Sequence, residues 1–156
     1  MGKATGGIPA LWVRWERLDR AMIAFMTDHG IGLLRAALAV IFIWFGALKV
    51  VGRSPVADLV AGTVYWVRPD LFVPFLGIWE VIVGVGLLFG TALRGVLLLF
   101  WLQMAGTFLV LVMRPELAFQ SRNPLLLTVT GEFVVKNLAL IAAGLVIGST
   151  VRRTRG

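Results

Sequence analysis

The stretch IGLLRAALAVIFIWFGALKVV, residues 31–51, decides the fold class of this chain. It is almost wholly apolar, and it reaches the ~17–25 residues that a helix needs to cross ~30 Å of hydrocarbon. Three further apolar runs of similar length follow it. The pattern predicts an all-α protein, an integral membrane four-helix bundle. The predicted spans lie at about residues 31–51, 74–90, 95–113 and 133–151.

The composition leaves room for one membrane domain and little else. The chain has 156 residues, of which 59% are hydrophobic, and a soluble core this apolar would lack enough polar surface to cover it. We predict a tail at residues 1–30, the four-span domain at 31–151, and a basic C-terminal tail at 152–156. The first run is too long for a cleaved signal peptide, so we expect it to stay as an anchor.

The residue types present limit the possible cofactors. Cysteine is absent and His29 is the only histidine, which excludes disulfides, thiol catalysis, iron–sulfur ligation, the usual zinc sites and a bis-histidine haem. We therefore expect no covalent or metal-bound cofactor. Neither a nucleophile–base pair nor a phosphate loop is recognisable, so enzyme chemistry by side chains alone is not expected.

The net charge of +7 is distributed around the hydrophobic runs rather than gathered for nucleic acid. Eight basic residues lie on one predicted side and four on the other, which places both termini in the cytoplasm. The eight are Lys3, Arg14, Arg17, Arg20, Arg94, Arg152, Arg153 and Arg155, and the four are Arg53, Arg68, Arg114 and Arg122.

An amphipathic pattern precedes the first span. From Pro9 to about Thr27, apolar residues and arginines fall largely on different helical faces. This predicts either an interfacial helix in the lipid headgroups, with its arginines toward acidic lipid, or a surface helix packed on the bundle. We expect Asp28-His29-Gly30 to end that helix before the first span begins.

Polar groups inside the spans gather toward the outer side of the predicted bundle. A charge there costs ~2.5–3.5 kcal/mol, so each such group is a candidate for function. From the helical rise, Glu80 lies roughly 9 Å and Gln103 roughly 15 Å from the outer boundary. The candidate ligand-binding residues are Trp44, Lys49, Glu80, Gln103, Glu132 and Lys136.

Charges in a membrane must pair or face water. Glu132 and Lys136 are spaced to pair on one helix, and Lys49 and Glu80 are expected to pair across helices. Two interpretations remain open: a charge network that only fixes helix packing, or a polar-rimmed pocket with Trp44, Phe75, Trp79 and Trp101 as aromatic walls.

Glycines spaced four apart indicate close helix packing, within one bundle or between copies. The two matches to this spacing are Gly86 with Gly90, and Gly144 with Gly148.

Two segments carry a family resemblance. The first is residues 35–49, RAALAVIFIWFGALK, followed by Ser54-Pro55, and the second is residues 130–138, TGEFVVKNL. With Glu80 and with Arg114-Pro115-Glu116, they resemble the DoxX-like superfamily, most closely its reactive-chlorine-resistance branch of inner-membrane proteins. The acidic residue that this branch carries soon after the lysine is missing here, where residues 50–53 read VVGR.

The resemblance implies a four-helix bundle with cytoplasmic termini in the bacterial inner membrane, and a role in a redox or oxidative-stress system. By the resemblance, Lys49, Glu80, Glu132 and Lys136 match recurrent polar positions of the family, to which no catalytic role is attached. The polar cluster and the resemblance together lead to the hypothesis that a quinone, a lipid or a similar small molecule binds in the outer half of the bundle. The first alternative is a structural or assembly subunit that binds a membrane-protein partner or further copies of itself. The second, a small transporter or channel, is disfavoured because no polar path continues to the cytoplasmic half.

Overall fold

The computed structural model describes residues 10–64 and 66–151. Four of its helices are long and apolar enough to cross a membrane, and this part of the chain contains no strand beyond one isolated bridge between Phe119 and Leu127. The all-helical class and the four candidate spans are therefore confirmed. The helices are α1 (Ala10–Val50), α2 (Ala57–Thr63), α3 (Pro69–Phe89), α4 (Leu93–Met113), α5 (Pro115–Ala118) and α6 (Val129–Thr150), with a 3₁₀ turn at Gln120–Arg122.

The predicted break at residues 28–30 is wrong, because α1 is helical without interruption from Ala10 to Val50. A single glycine inside a helix costs only about 1 kcal/mol relative to alanine, which flanking residues can offset. Thr27 donates its hydroxyl to the carbonyl of Ile23 one turn back, at 2.8 Å, rather than capping a new helix. Phe25 and His29, four apart, stack with ring centroids 4.9 Å apart across the expected break.

Two compact units divide the chain, one ending at Leu33 and the other beginning at Leu34. The second unit holds the last part of α1 and all later helices. The sequence also predicts a short amphipathic helix at residues 56–66 at the outer surface, with Tyr65 and Trp66 at headgroup depth. Tyr65 and the basic tail predicted at residues 152–156 lie outside the described residues.

The start of α3 also differs from the prediction, which placed it at Pro74. The helix begins at Pro69. A proline is tolerated there because the backbone N–H groups of the first turn have no hydrogen-bond partner within the helix. Pro74 lies inside the helix and removes one hydrogen bond near its start. At its other end α3 stops at Gly90, whose φ of 69° is left-handed and favours glycine.

One half of the second unit is a packed apolar core. Phe100 of α4 lies at its centre, fully buried, with its ring centroid 5.5 Å from that of Phe42 on α1. Gly144 of α6 packs against the same ring, leaving no room for a side chain. The core consists of Leu38, Ala39, Phe42, Val83, Leu87, Val96, Leu97, Phe100, Met104, Ala143 and Ile147.

We call the other half of this unit the loop half, because it holds α2, α5 and the two longer connections. The connection after α4 is tied down by Thr128, which accepts a hydrogen bond from the N–H of Gly131 and so caps α6. The hydroxyl of Thr128 in turn donates to the carbonyl of Leu117, next to the C-terminus of α5. The candidate site lies in the loop half.

Candidate functional site

Three glycines allow α1 and α3 to approach closely: Gly84 packs on the backbone of Ala39 and Ile43, and Gly46 and Gly77 face each other. A Cβ added at Gly46 would lie 2.5 Å from the carbonyl oxygen of Gly77, and one added at Gly77 would lie 2.6 Å from that of Gly46. The helices run antiparallel, and each of these last two glycines faces a charged residue of the other helix. Gly46 faces the Cβ of Glu80, and Gly77 faces the Cβ of Lys49. Gly46 and Gly77 therefore provide the space in which these two side chains sit.

Lys49 and Glu80 form a buried ion pair at this crossing. The Nζ of Lys49 donates to the Oε2 of Glu80 at 2.7 Å, and the two residues are 5% and 7% exposed. Side chains on a helix lean toward its N-terminus. In antiparallel helices the two side chains therefore lean toward each other, which closes the axial gap between them. The expected pairing across helices is confirmed.

Gln103 of α4 completes the cluster, which we call the triad (Lys49, Glu80 and Gln103). Its Nε2 donates to the Oε1 of Glu80 at 2.7 Å. Glu80 lies eleven residues from the true start of α3, about 16 Å along the axis. Gln103 lies ten residues before the end of α4, about 15 Å. The sequence analysis placed Glu80 closer to the outer boundary than Gln103 because it took Pro74 as the start of α3. With the start at Pro69, the two residues lie at about the same depth.

The hydrogen bond to Glu80 fixes the orientation of the Gln103 amide. Because its nitrogen donates to a carboxylate, its Oε1 points away from Glu80. No group in the part of the chain that the structure describes donates to this oxygen. Every side-chain oxygen there that is fully shielded from solvent has a hydrogen-bond partner. Because the Oε1 of Gln103 has none, it must be accessible from the adjoining space.

That space is a cavity of about 470 Å³ in the loop half, and all three triad residues line it. Its remaining walls are largely apolar, with a few hydroxyl and amide groups. The residues that line it include Phe42, Phe45, Leu59, Val60, Thr63, Phe72, Phe75, Trp79, Thr107, Val110, Phe133, Val134 and Asn137. A cavity of this size, mostly apolar with a few convergent polar groups, is typical of a small-molecule site.

The short helix α2 contributes one wall of the cavity and is held by Arg114, which follows α4. The Nη1 of Arg114 donates to the carbonyl of Gly62 at 2.8 Å, and its Nε donates to Glu116 at 2.5 Å. A Cβ at Gly62 would lie 2.7 Å from the Nη1 of Arg114, so the arginine side chain would have to shift to accommodate it. The sequence predicted a helix here at residues 56–66, slightly longer than α2.

Three of the six predicted site residues are not part of the triad or the cavity lining. Trp44 is 65% exposed on α1. Glu132 and Lys136 form the expected pair on α6, with Nζ and Oε2 3.3 Å apart, but both side chains are exposed. Of the predicted aromatic walls, Phe75 and Trp79 line the cavity, while Trp101 instead packs edge-on against Phe100.

The four predicted packing glycines have different environments. Gly86 faces Val96 of α4 and Gly144 faces the ring of Phe100, so both serve packing inside the chain. Gly90 instead ends α3 in a left-handed conformation. At Gly148 the nearest atom to an added Cβ is Leu97 Cδ1 at 3.6 Å, which is ordinary contact, so no tight packing requires this glycine.

The sequence analysis missed Gly46, Gly77 and the role of α2. A signal for the glycines existed, since each lies three residues before a charged residue and therefore on the same helical face. No comparable signal pointed to Arg114 as the residue that holds α2. Among the described residues, no group of three or more histidine and acidic side chains is placed to hold a metal ion.

No family model, curated protein or solved structure matches the chain. The resemblance to the DoxX-like superfamily stays a prediction.

Proposed function

We propose that this chain is a multi-pass protein of the bacterial inner membrane that binds an uncharged amphipathic molecule, a quinone or a neutral lipid, in the loop-half cavity. Both termini would lie in the cytoplasm, and the amphipathic first part of α1 would contact headgroups. The observation that carries the proposal is a buried polar triad on the wall of a cavity of about 470 Å³ that is otherwise mostly apolar.

The charges of the triad favour a neutral ligand. Lys49 and Glu80 neutralise each other at 2.7 Å, so an anionic headgroup would meet no net positive charge, and burying it would be costly. Lys49 has two further N–H groups to offer a ligand carbonyl, and the Oε1 of Gln103 can accept from a hydroxyl. A quinone or quinol, or the hydroxyl and ester groups of a neutral lipid, match this pattern.

In this proposal the protein is a DoxX-like subunit of a redox or oxidative-stress system rather than an enzyme on its own. Electrons would reach a bound quinone from an external donor, because the chain itself contributes no cysteine and a single histidine. Glu80 lies next to both ligand-facing groups, so it would accept or return the proton when the head group changes its redox state.

Native mass spectrometry of protein extracted gently from its own membrane, with lipid and quinone analysis of what remains bound, tests the proposal. We expect a neutral amphiphile to be retained. Gln103→Leu removes the free acceptor and should weaken retention by about 2- to 10-fold, the usual range for one hydrogen bond. Leu59→Trp should fill the cavity from α2 and abolish retention while leaving the triad intact.

Lys136→Met is the matched control, because it removes a lysine that pairs with a glutamate but is exposed on α6. It should leave ligand retention unchanged. Retention of only anionic lipid, or equal retention by the wild type and the Leu59→Trp variant with helix content preserved, would refute a cavity-bound neutral ligand.

A second candidate function, an assembly subunit of a larger membrane complex, is favoured by the Glu132–Lys136 pair. These charges are exposed on a helix long enough to span a membrane, where an uncovered charge is costly unless it reaches headgroups or a partner. Co-purification of a partner protein that Glu132→Gln with Lys136→Met abolishes would support this function.

A further inference from the structure

We propose that the opposite end of the bundle carries a second binding site, for one anionic phospholipid, on a groove between α4 and α6. We call it the Arg94 groove. It has a volume of about 520 Å³ and lies outside the loop-half cavity. It is lined by Arg94, Leu97, Leu98, Trp101, Gly148 and Val151.

The single charge of this groove lies at its end. Arg94 is the second residue of α4, which has 21 residues and a length of about 31 Å, close to the ~30 Å of a bilayer core. The guanidinium of Arg94 is therefore expected at headgroup depth. It is exposed, and within residues 10–64 and 66–151 it forms no ion pair. A lipid phosphate would supply the missing anion.

The rest of the groove is apolar and runs inward from Arg94. Leu97, Leu98 and Trp101 lie one to two helical turns further along α4, so the lining extends about 10 Å in depth. The ring of Trp101 is held edge-on to Phe100 with centroids 5.2 Å apart. Among the described residues no group accepts a hydrogen bond from its indole N–H, which leaves that donor for a lipid ester carbonyl.

Gly148 keeps the groove open. Unlike Gly86 and Gly144, it is not required by a close helix contact, since an added Cβ would meet only Leu97 Cδ1 at 3.6 Å. A larger side chain at this position would occupy space that an acyl chain can fill.

Charge favours an anionic lipid over a protein helix as the occupant. The guanidinium of Arg35 lies against Gly90, four residues before Arg94, so a second cation lies at the same end of α4. In the sequence, Val151 is followed directly by Arg152 and Arg153. Basic pockets between membrane helices at the surface bind anionic headgroups.

Lipid titration followed by native mass spectrometry tests the proposal. The purified protein in detergent is titrated with phosphatidylglycerol and, separately, with phosphatidylcholine of the same acyl chains. We expect one tight phosphatidylglycerol adduct. Arg94→Gln should weaken it by about five-fold, in line with one basic side chain near a lipid surface. Arg94→Lys should largely keep it, and Gly148→Leu should weaken both lipids.

Arg53→Gln removes an exposed arginine from the other end of the bundle, and Gly95→Leu adds bulk where no atom lies within 4 Å. Both controls should leave the adduct unchanged. Equal affinity for the two lipids, or an Arg94→Gln variant that binds like the wild type, would overturn the proposal. So would a Gly148→Leu variant that separates copies of the chain but keeps phosphatidylglycerol affinity, because the groove would then be a protein interface.

Discussion

At the scale of single residues, Lys49 and Glu80 are the charged residues that the described part of the chain buries. Both groups are less than 10% exposed, and breaking a buried pair from one side costs about 3–5 kcal/mol because it leaves the other charge uncompensated. Replacing both members of a buried pair with apolar side chains of similar volume is often neutral. A double-mutant cycle at these two positions therefore separates a packing role from a binding role.

We expect Lys49→Met to lower the free energy of unfolding by about 3–5 kcal/mol, and Lys49→Met with Glu80→Met to restore most of it. Unfolding by sodium dodecyl sulfate in mixed micelles, followed by circular dichroism, measures both. Lys136→Met, in an exposed pair, should cost no more than about 0.5 kcal/mol. A Lys49→Met variant as stable as Lys136→Met would mean that the triad is hydrated rather than buried.

The sequence predicted the Lys49–Glu80 pair and the Glu132–Lys136 pair, but not which of them faces the interior. Trp44 lies five residues before Lys49, about 140° around the helix at 100° per residue. It therefore points away from the triad. Lys136 lies two residues from the buried Val134, about 200° around α6. On helices apolar on every face, the buried side cannot be read from the pattern.

At the scale of helices, the close packing of α1 and α3 depends on the absence of side chains at Gly46, Gly77 and Gly84. We expect Gly46→Ala to destabilise the protein by about 1–3 kcal/mol, because the added Cβ would lie 2.5 Å from the Gly77 carbonyl oxygen, which is backbone. Gly95→Ala on α4 meets no atom within 4 Å, and should stabilise the helix by up to about 1 kcal/mol. The same detergent unfolding assay measures both.

A Gly46→Ala variant as stable as Gly95→Ala would mean that α1 and α3 can separate without loss of stability.

The start of α3 shows what limits prediction of the fold from the sequence. The apolar runs fixed the number of long helices, but Pro74 misplaced the start of α3 by five residues because a proline inside a helix and one at its start look alike in sequence.

The hold of Arg114 on α2 gives a prediction about local stability. Arg114→Gln removes the hydrogen bond to the carbonyl of Gly62 and the ion pair to Glu116. We expect amide hydrogen exchange at residues 57–64 to become several-fold faster, since one hydrogen bond contributes about 0.5–1.5 kcal/mol. Exchange in α3 and α4 should not change. Equal exchange at residues 57–64 in both proteins would show that apolar contacts alone hold α2.

At the scale of the whole molecule, the orientation in the membrane follows from charge counts rather than from packing. Inserting the protein in the opposite orientation would leave every contact within the bundle unchanged. The preference comes from the eight basic residues on one predicted side against four on the other. Labelling of introduced cysteines tests this orientation directly.

Because the sequence contains no cysteine, a maleimide can label only the cysteine that is introduced. Ser121→Cys lies in the connection between α5 and α6, and Thr91→Cys lies in the turn between α3 and α4. With both termini in the cytoplasm, a membrane-impermeant maleimide added to spheroplasts should label Ser121→Cys at once, and Thr91→Cys only after permeabilisation. The reverse pattern would place the triad cavity toward the cytoplasm, and the Arg94 groove would then face the outer leaflet.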